Sequence, residues 1–85
     1  MRVTIPSPLL SYTNRREVAA IGATLADVLR DLDRQFPGIR FRMVDEQDRL
    51  RPHMRVFLDA DEMRDPSAAL DASRTLHIVQ ALSGG

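Results

Sequence analysis

Apolar and polar positions change period several times along the chain, and each change marks an element. Val3 and Ile5 alternate with Arg2 and Thr4, the period-two pattern of a half-buried strand. Pro6 and Pro8 withhold backbone donors and place a bend or an edge directly after it. Leu9 and Leu10 anchor the loop that follows, and Tyr12-Thr13-Asn14-Arg15-Arg16 is polar and turn-like. Glu17-Val18-Ala19-Ala20-Ile21 predicts a second strand, in a hairpin with the first. Gly22-Ala23 breaks it, and from Thr24 the period becomes 3.6. Leu25, Val28, Leu29, Leu32 and Phe36 fall on one stripe, with Asp27, Arg30, Asp31, Asp33 and Arg34 on the other faces. Thr24 is the expected N-cap, Asp27 three residues on makes a weak capping box, and Pro37-Gly38 ends the helix.

The second half is less regular. Ile39, Phe41 and Met43 alternate with Arg40 and Arg42, which predicts a short strand or an extended crossing. Asp45-Glu46-Gln47-Asp48 reads as a turn or exposed loop. His53 to Asp59 is the third main strand, with Met54, Val56 and Leu58 facing the helix and Arg55 and Phe57 facing away. Asp59-Ala60-Asp61 is a turn without the glycine a tight hairpin favours. Glu62-Met63-Arg64 predicts a short fourth strand. Asp65-Pro66-Ser67 turns again, and Ala68-Ala69-Leu70 is expected to make one helical turn. Thr75 to Ala81 is a β-branched, apolar final strand, with Leu76 and Ile78 inward and His77 and Val79 outward.

Strand, strand, helix, strand, short strand, strand is the order of a two-layer α+β domain, a mixed sheet of four or five strands packed on one main helix. The first and last strands are expected to be central neighbours. A single domain over residues 1–85 is expected, with a flexible tail over residues 82–85.

Composition narrows the function. There are no cysteines, so neither a disulfide nor a thiolate metal site is available. Twelve basic residues balance twelve acidic ones, which argues against general nucleic-acid affinity. No stretch approaches the about 20 apolar residues of a membrane helix, and no signal peptide opens the chain, so a cytoplasmic protein is the expectation. All twelve basic residues are arginine, so the only amine of the chain is its α-amino group.

No phosphate-binding glycine loop, nucleophile elbow or His-Glu zinc motif is present. His53 and His77 stand far apart and read as surface or interface histidines rather than metal ligands, which come in sets of three or four. The carboxylates of Asp45-Glu46 and of Asp59, Asp61 and Glu62 read as acidic turns rather than a cation site. Arg40, Arg42, Arg49, Arg51 and Arg55 form a basic stretch, but interleaved acids make it a solvated face or a protein-docking edge. No catalytic constellation emerges, and the chain reads as acted upon rather than acting.

The end offers the remaining chemistry. Ala81-Leu82-Ser83-Gly84-Gly85 follows the last strand, and with Gly85 as the terminus it carries a free α-carboxylate on two glycines. Lacking a Cβ, glycine lies closely against another surface. Leu82, Ser83, Gly84 and Gly85 can thereby thread a narrow channel and offer the carboxylate to another protein's active site.

These features together resemble the small ubiquitin-like sulfur carriers of the MoaD/ThiS family, which have the β-grasp fold. The resemblance runs through Val3-Thr4-Ile5-Pro6, Gly22-Ala23-Thr24-Leu25, Phe36-Pro37-Gly38-Ile39, Leu50-Arg51-Pro52-His53, Arg55-Val56-Phe57-Leu58 and the closing His77 to Gly85. Two turns depart from it. The family's Asn-Gly before the short strand is Asp59-Ala60-Asp61 here, and its Gly-Asp before the last strand is Asp71-Ala72-Ser73-Arg74. The resemblance implies a non-enzymatic carrier, with no bound cofactor, whose Gly85 carboxylate is adenylated with ATP and Mg²⁺ by a ubiquitin-activating-like adenylyltransferase. A rhodanese or cysteine desulfurase would supply sulfur for a Gly85 thiocarboxylate, and a biosynthetic synthase would accept it. Molybdopterin, thiamine, cysteine and sulfur-containing secondary metabolites are the implied destinations; in the first, the chain would be a synthase's small subunit. Phe57, Val79, His77 and Arg55 are the expected docking residues on the open sheet face. A ubiquitin-like modifier joined through Gly85 to lysines, and a non-covalent β-grasp module, are the alternatives.

Overall fold

The computed structural model of the protein describes residues 1–81. Five strands form one mixed sheet in the order β2-β1-β5-β3-β4. β1 (Arg2–Thr4) pairs antiparallel with β2 (Glu17–Ala19) and parallel with β5 (Thr75–Gln80). On its other edge β5 pairs antiparallel with β3 (Met54–Leu58), which forms a hairpin with β4 (Asp61–Met63). The last strand is therefore central and hydrogen-bonded on both sides. Among the described residues the chain also forms three α-helices, α1 (Leu10–Thr13), α2 (Leu25–Gln35) and α3 (Ile39–Met43). The fold is the α+β β-grasp arrangement expected from the sequence.

The two periods meet in one core. Val3, Val18, Met54, Val56, Leu58, Leu76 and Ile78 come from the inner sheet face, and Leu25, Val28, Leu29 and Leu32 from α2; all are buried. The Thr24 hydroxyl accepts from the Asp27 amide at 3.2 Å, the expected N-cap.

Four stretches differ from expectation. Residues 39–43 are a helix, not a strand or an extended crossing. Ile39 and Met43, four apart, are both fully buried, while Phe41 between them is 60% exposed. The burial thus has the helical period. Gly38, at φ 97°, turns the chain from α2 into α3, and the Asp33 carboxylate accepts from the Gly38 and Arg40 amides at 3.1 and 3.2 Å. Residues 68–70 make no helical turn. Ala69 forms an antiparallel bridge to Thr24, and the carbonyls of Ala68 and Pro66 accept from the Leu25 and Ala26 amides at 3.1 and 2.9 Å. The first-turn donors of α2 need partners, and this extended segment supplies them. Residues 7–13 are no open loop; a 3₁₀ turn at Ser7–Leu9 runs into α1, ended by Asn14 at φ 57°. β2 also stops at Ala19, two residues early, leaving Ile21 exposed with its amide donating to Asp31.

Candidate partner-docking site

Alternation sends every second residue of the five strands to the face away from α2. Across the centre of that face, Arg55 stands opposite Val79 and Phe57 opposite His77. His77 is also opposite Thr4 on the parallel side, where its Nδ1 lies 2.9 Å from the Thr4 hydroxyl. The four residues expected to dock a partner therefore form two adjacent cross-strand pairs on one surface. Val79 is 41% exposed, Arg55 is exposed, and Phe57 and His77 are half-buried. The surround is polar: Glu62 stands opposite Phe57 and lies 3.9 Å from Arg55, and Arg2 pairs with Glu17 at 3.1 Å.

This face adjoins the exit of the chain from the sheet. The Ala81 amide donates to the His53 carbonyl at 2.7 Å, continuing the β3–β5 ladder one residue beyond Gln80. Leu82, Ser83, Gly84 and Gly85 lie outside the described residues.

The opposite end of β5 is fastened by charge. Arg74 donates to Asp59 at 2.9 Å, to Asp61 at 2.6 Å and to the Leu58 carbonyl at 2.9 Å. The Arg74 hydrogen bond and then the Thr75 amide hold the Asp59 carboxyl below its ordinary value. The acidic turn at Asp59, Asp61 and Glu62 is thus occupied by arginine. Among the described residues, no group of three metal-ligating side chains gathers, and no helix is long and apolar enough to cross a membrane.

The basic stretch separates into paired and unpaired members. Arg40 pairs with Asp48, Arg49 with Asp45 at 3.3 Å, and Arg55 faces Glu62. Among the described residues, Arg42 and Arg51 have no carboxylate partner. Arg51 instead stacks over the Phe41 ring, 4.9 Å from its centroid, and donates to the Phe41 carbonyl at 2.8 Å. Sequence reasoning placed neither Phe41 nor this stack. The spacing of Ile39 and Met43 fits a helix that turns Phe41 outward, but Ile39, Phe41 and Met43 fit a strand equally well, so the sequence carries no signal that separates the two.

No protein-family model and no curated protein sequence matches this chain. Solved structures do. A chain in the crystal structure of the Amycolatopsis orientalis BexX/CysO complex superposes with a TM-score of 0.89 at 28% identity, over 99% of this chain and 98% of that one. Mycobacterium tuberculosis CysO, described as an antigen, gives 0.88 at 25% identity over 95% and 98%. SAMP1 from Haloferax volcanii gives 0.81 at 23% identity over 100% and 98%, a likeness of fold.

Proposed function

We propose that this chain, a ubiquitin-like β-grasp protein of the MoaD/ThiS type, is a sulfur carrier that works through the carboxylate of Gly85. The observation that carries the reading is the position of β5. It is paired on both edges, and it delivers the chain at Ala81 beside an open face bearing Phe57, His77 and Val79. A rigid strand thus holds the base of the reactive end next to a surface that a partner can grip. The likeness to a chain of the BexX/CysO complex supports a carrier that acts in association with a second protein.

The chemistry follows from the group. A carboxylate is a poor electrophile because its leaving group would be oxide. In an activating partner that binds ATP and Mg²⁺, a Gly85 carboxylate oxygen attacks the α-phosphorus, forming an acyl-adenylate and releasing pyrophosphate. The terminal sulfur of a donor persulfide then attacks the acyl carbon and expels AMP. A thiol cleaves the resulting acyl disulfide, leaving a thiocarboxylate on Gly85 and a disulfide on the donor side. The thiocarboxylate sulfur attacks an electrophilic carbon of the acceptor, and hydrolysis of the acyl–sulfur bond returns the carboxylate. Through all of this the chain contributes binding and position. Its docking residues would be Phe57, Val79, His77 and Arg55, and Leu82 to Gly85 would enter the partner's channel.

The test is intact mass after incubation with an adenylating enzyme, ATP and a sulfur donor. Replacement of one oxygen by sulfur, localised to Gly85, supports the carrier. Transfer of the same activated carboxylate to a target lysine would make the chain a modifier instead. No change with a demonstrably active partner, together with full function after deletion of Gly84 and Gly85, would leave only a non-covalent module.

A further inference from the structure

Beside the base of the tail lies a concavity of 430 Å³ lined by Phe41, Arg42, Arg51, His53 and Gln80. Its chemistry differs from the rest of the surface. No carboxylate lines it, although the protein as a whole is neutral. It holds Arg42 and Arg51, the two arginines of the basic stretch without a carboxylate partner among the described residues. Phe41, at 60% exposure, gives it an apolar wall. Arg51 is already ordered there by the ring and carbonyl of Phe41, so its guanidinium loses little freedom on pairing.

Its location limits what covers it. Ala81, bonded to His53, is at its edge. Gly85 is four residues beyond Ala81, a reach of at most ~14 Å. A protein that takes Gly85 into its active site must therefore bring its own surface within that distance of the concavity.

We infer that the Phe41–Arg42–Arg51–His53–Gln80 concavity is a second docking site, which receives an acidic segment from the mouth of the partner channel that takes the tail. Carboxylates of that segment pair with Arg42 and Arg51, and its apolar side chain covers Phe41. The site lies at the end of β5, at Gln80, beside the point where the chain leaves the sheet at Ala81, so a partner that takes the tail meets it. Identifying the occupant with the tail-engaging partner rests on the carrier reading; the affinity for acidic peptide does not, and the test below can fail while Gly85 activation succeeds.

The test is a chemical-shift titration of the isotope-labelled full chain with an end-blocked Glu-Asp-Leu-Asp-Glu peptide. The expected result is movement confined to Phe41, Arg42, Arg51, His53 and Gln80. Affinity should fall about tenfold in the Arg42→Glu, Arg51→Glu variant, with the rest of the spectrum unchanged. The control variant Arg15→Glu, Arg16→Glu, remote from the concavity in sequence, should bind as the parent does. Equal loss in both variants, or movement spread over the surface, would mean nonspecific charge attraction and would overturn the site. So would no movement at millimolar peptide. A response to inorganic triphosphate but not to peptide would make the concavity a phosphate site. If the chain lacking Gly84 and Gly85 has concavity signals already displaced and binds peptide more tightly, the protein's own carboxylate is the occupant. Either of these last results would overturn the partner assignment.

Discussion

Arg74 and Asp59 belong to two different turns, and the Arg74 Nε donates to the Asp59 carboxylate at 2.9 Å. The second Asp59 oxygen accepts from the Thr75 amide at 3.1 Å, at the first residue of β5. These are the two turns whose composition departs from the MoaD/ThiS pattern. The departures are complementary: a glycine-poor hairpin turn, with Asp59 at φ 53°, is pinned by an arginine from the other glycine-free turn. The exchange replaces backbone permissiveness with a charged clamp at the start of the central strand.

That clamp makes stability sensitive to acid. Asp59 is held below its ordinary value, chiefly by Arg74. Asp31 is held down by Arg34, Asp45 by the Arg49 amide, Asp65 by the Ser67 hydroxyl and Asp71 by the Ser73 hydroxyl. A carboxyl whose folded value lies below its unfolded one adds stability above the unfolded value. It loses that contribution as pH falls through the folded value. Melting temperature should therefore hold above about pH 5 and decline below about pH 4. Asp59→Asn keeps a residue that tolerates positive φ and removes the charge. It should melt lower at neutral pH, with the difference from the parent shrinking in acid. Parallel curves over the series would show that Asp59 ionisation contributes nothing.

Leu29 and Val79 separate folding from docking. Leu29 is buried in the α2 stripe, and Leu29→Ala should cost about 2–5 kcal/mol in urea unfolding. Val79 projects from the open face, and Val79→Asp should change stability by about 0.5 kcal/mol or less. The same substitution should raise the KM for tail adenylation with little change in kcat, because it acts before chemistry. Unchanged KM for Val79→Asp and for Phe57→Ala would place the partner elsewhere.

How much of this was legible varies with the local signal. The α2 stripe from Leu25 to Leu32, the Thr24 cap and the inward Met54, Val56, Leu58, Leu76 and Ile78 were readable, because one face of each element is buried and the period is long enough to register. The pairing of Arg55 with Val79 and of Phe57 with His77 followed from the same alternation once β3 and β5 were neighbours. Residues 39–43 were misread because five residues with apolar positions at one, three and five satisfy a strand period. Only burial of Ile39 and Met43, with Phe41 outside, distinguishes the helix. Ala68-Ala69-Leu70 has helix-forming residues, but the unsatisfied amides at the start of α2 draw its backbone into an extended bridge, a tertiary demand that no local window contains. The Phe41–Arg51 stack depends on that same α3 turn and was hidden with it.

Gly22 offers a backbone test. A Cβ placed there would meet the Val28 amide nitrogen at 2.6 Å and Asp27 atoms at 2.8 Å. The link from β2 passes directly over the first turn of α2, and backbone cannot step aside as a flexible side chain would. Gly22→Ala should cost about 1–3 kcal/mol, measured by chemical unfolding. Gly85→Ala, by contrast, should leave unfolding unchanged and impair activation. Normal activation of a folded Gly85→Ala protein would count against passage through a narrow channel.

The absence of lysine gives the last prediction. An activated carboxylate acylates amines, and this chain has only the Met1 α-amine. That group donates to the Ala20 carbonyl at 2.6 Å, at the sheet end where Arg2 is level with Thr75. β5 then runs five residues away to Gln80, about 17 Å at strand rise. The tail restarts from Ala81 with a reach of at most ~14 Å, so it falls short of Met1 within one molecule. Another copy presents no side-chain amine and an α-amine already engaged. The adenylated protein, held with its activating enzyme and no sulfur donor, should therefore hydrolyse back to carboxylate without forming cyclic or amide-linked species. A variant with one exposed arginine near the exit exchanged, Arg42→Lys, should gain a self-acylated product by mass. Equal self-acylation in parent and variant would mean that the Met1 amine, of the same molecule or of another copy, is open to the activated tail despite its bond to the Ala20 carbonyl.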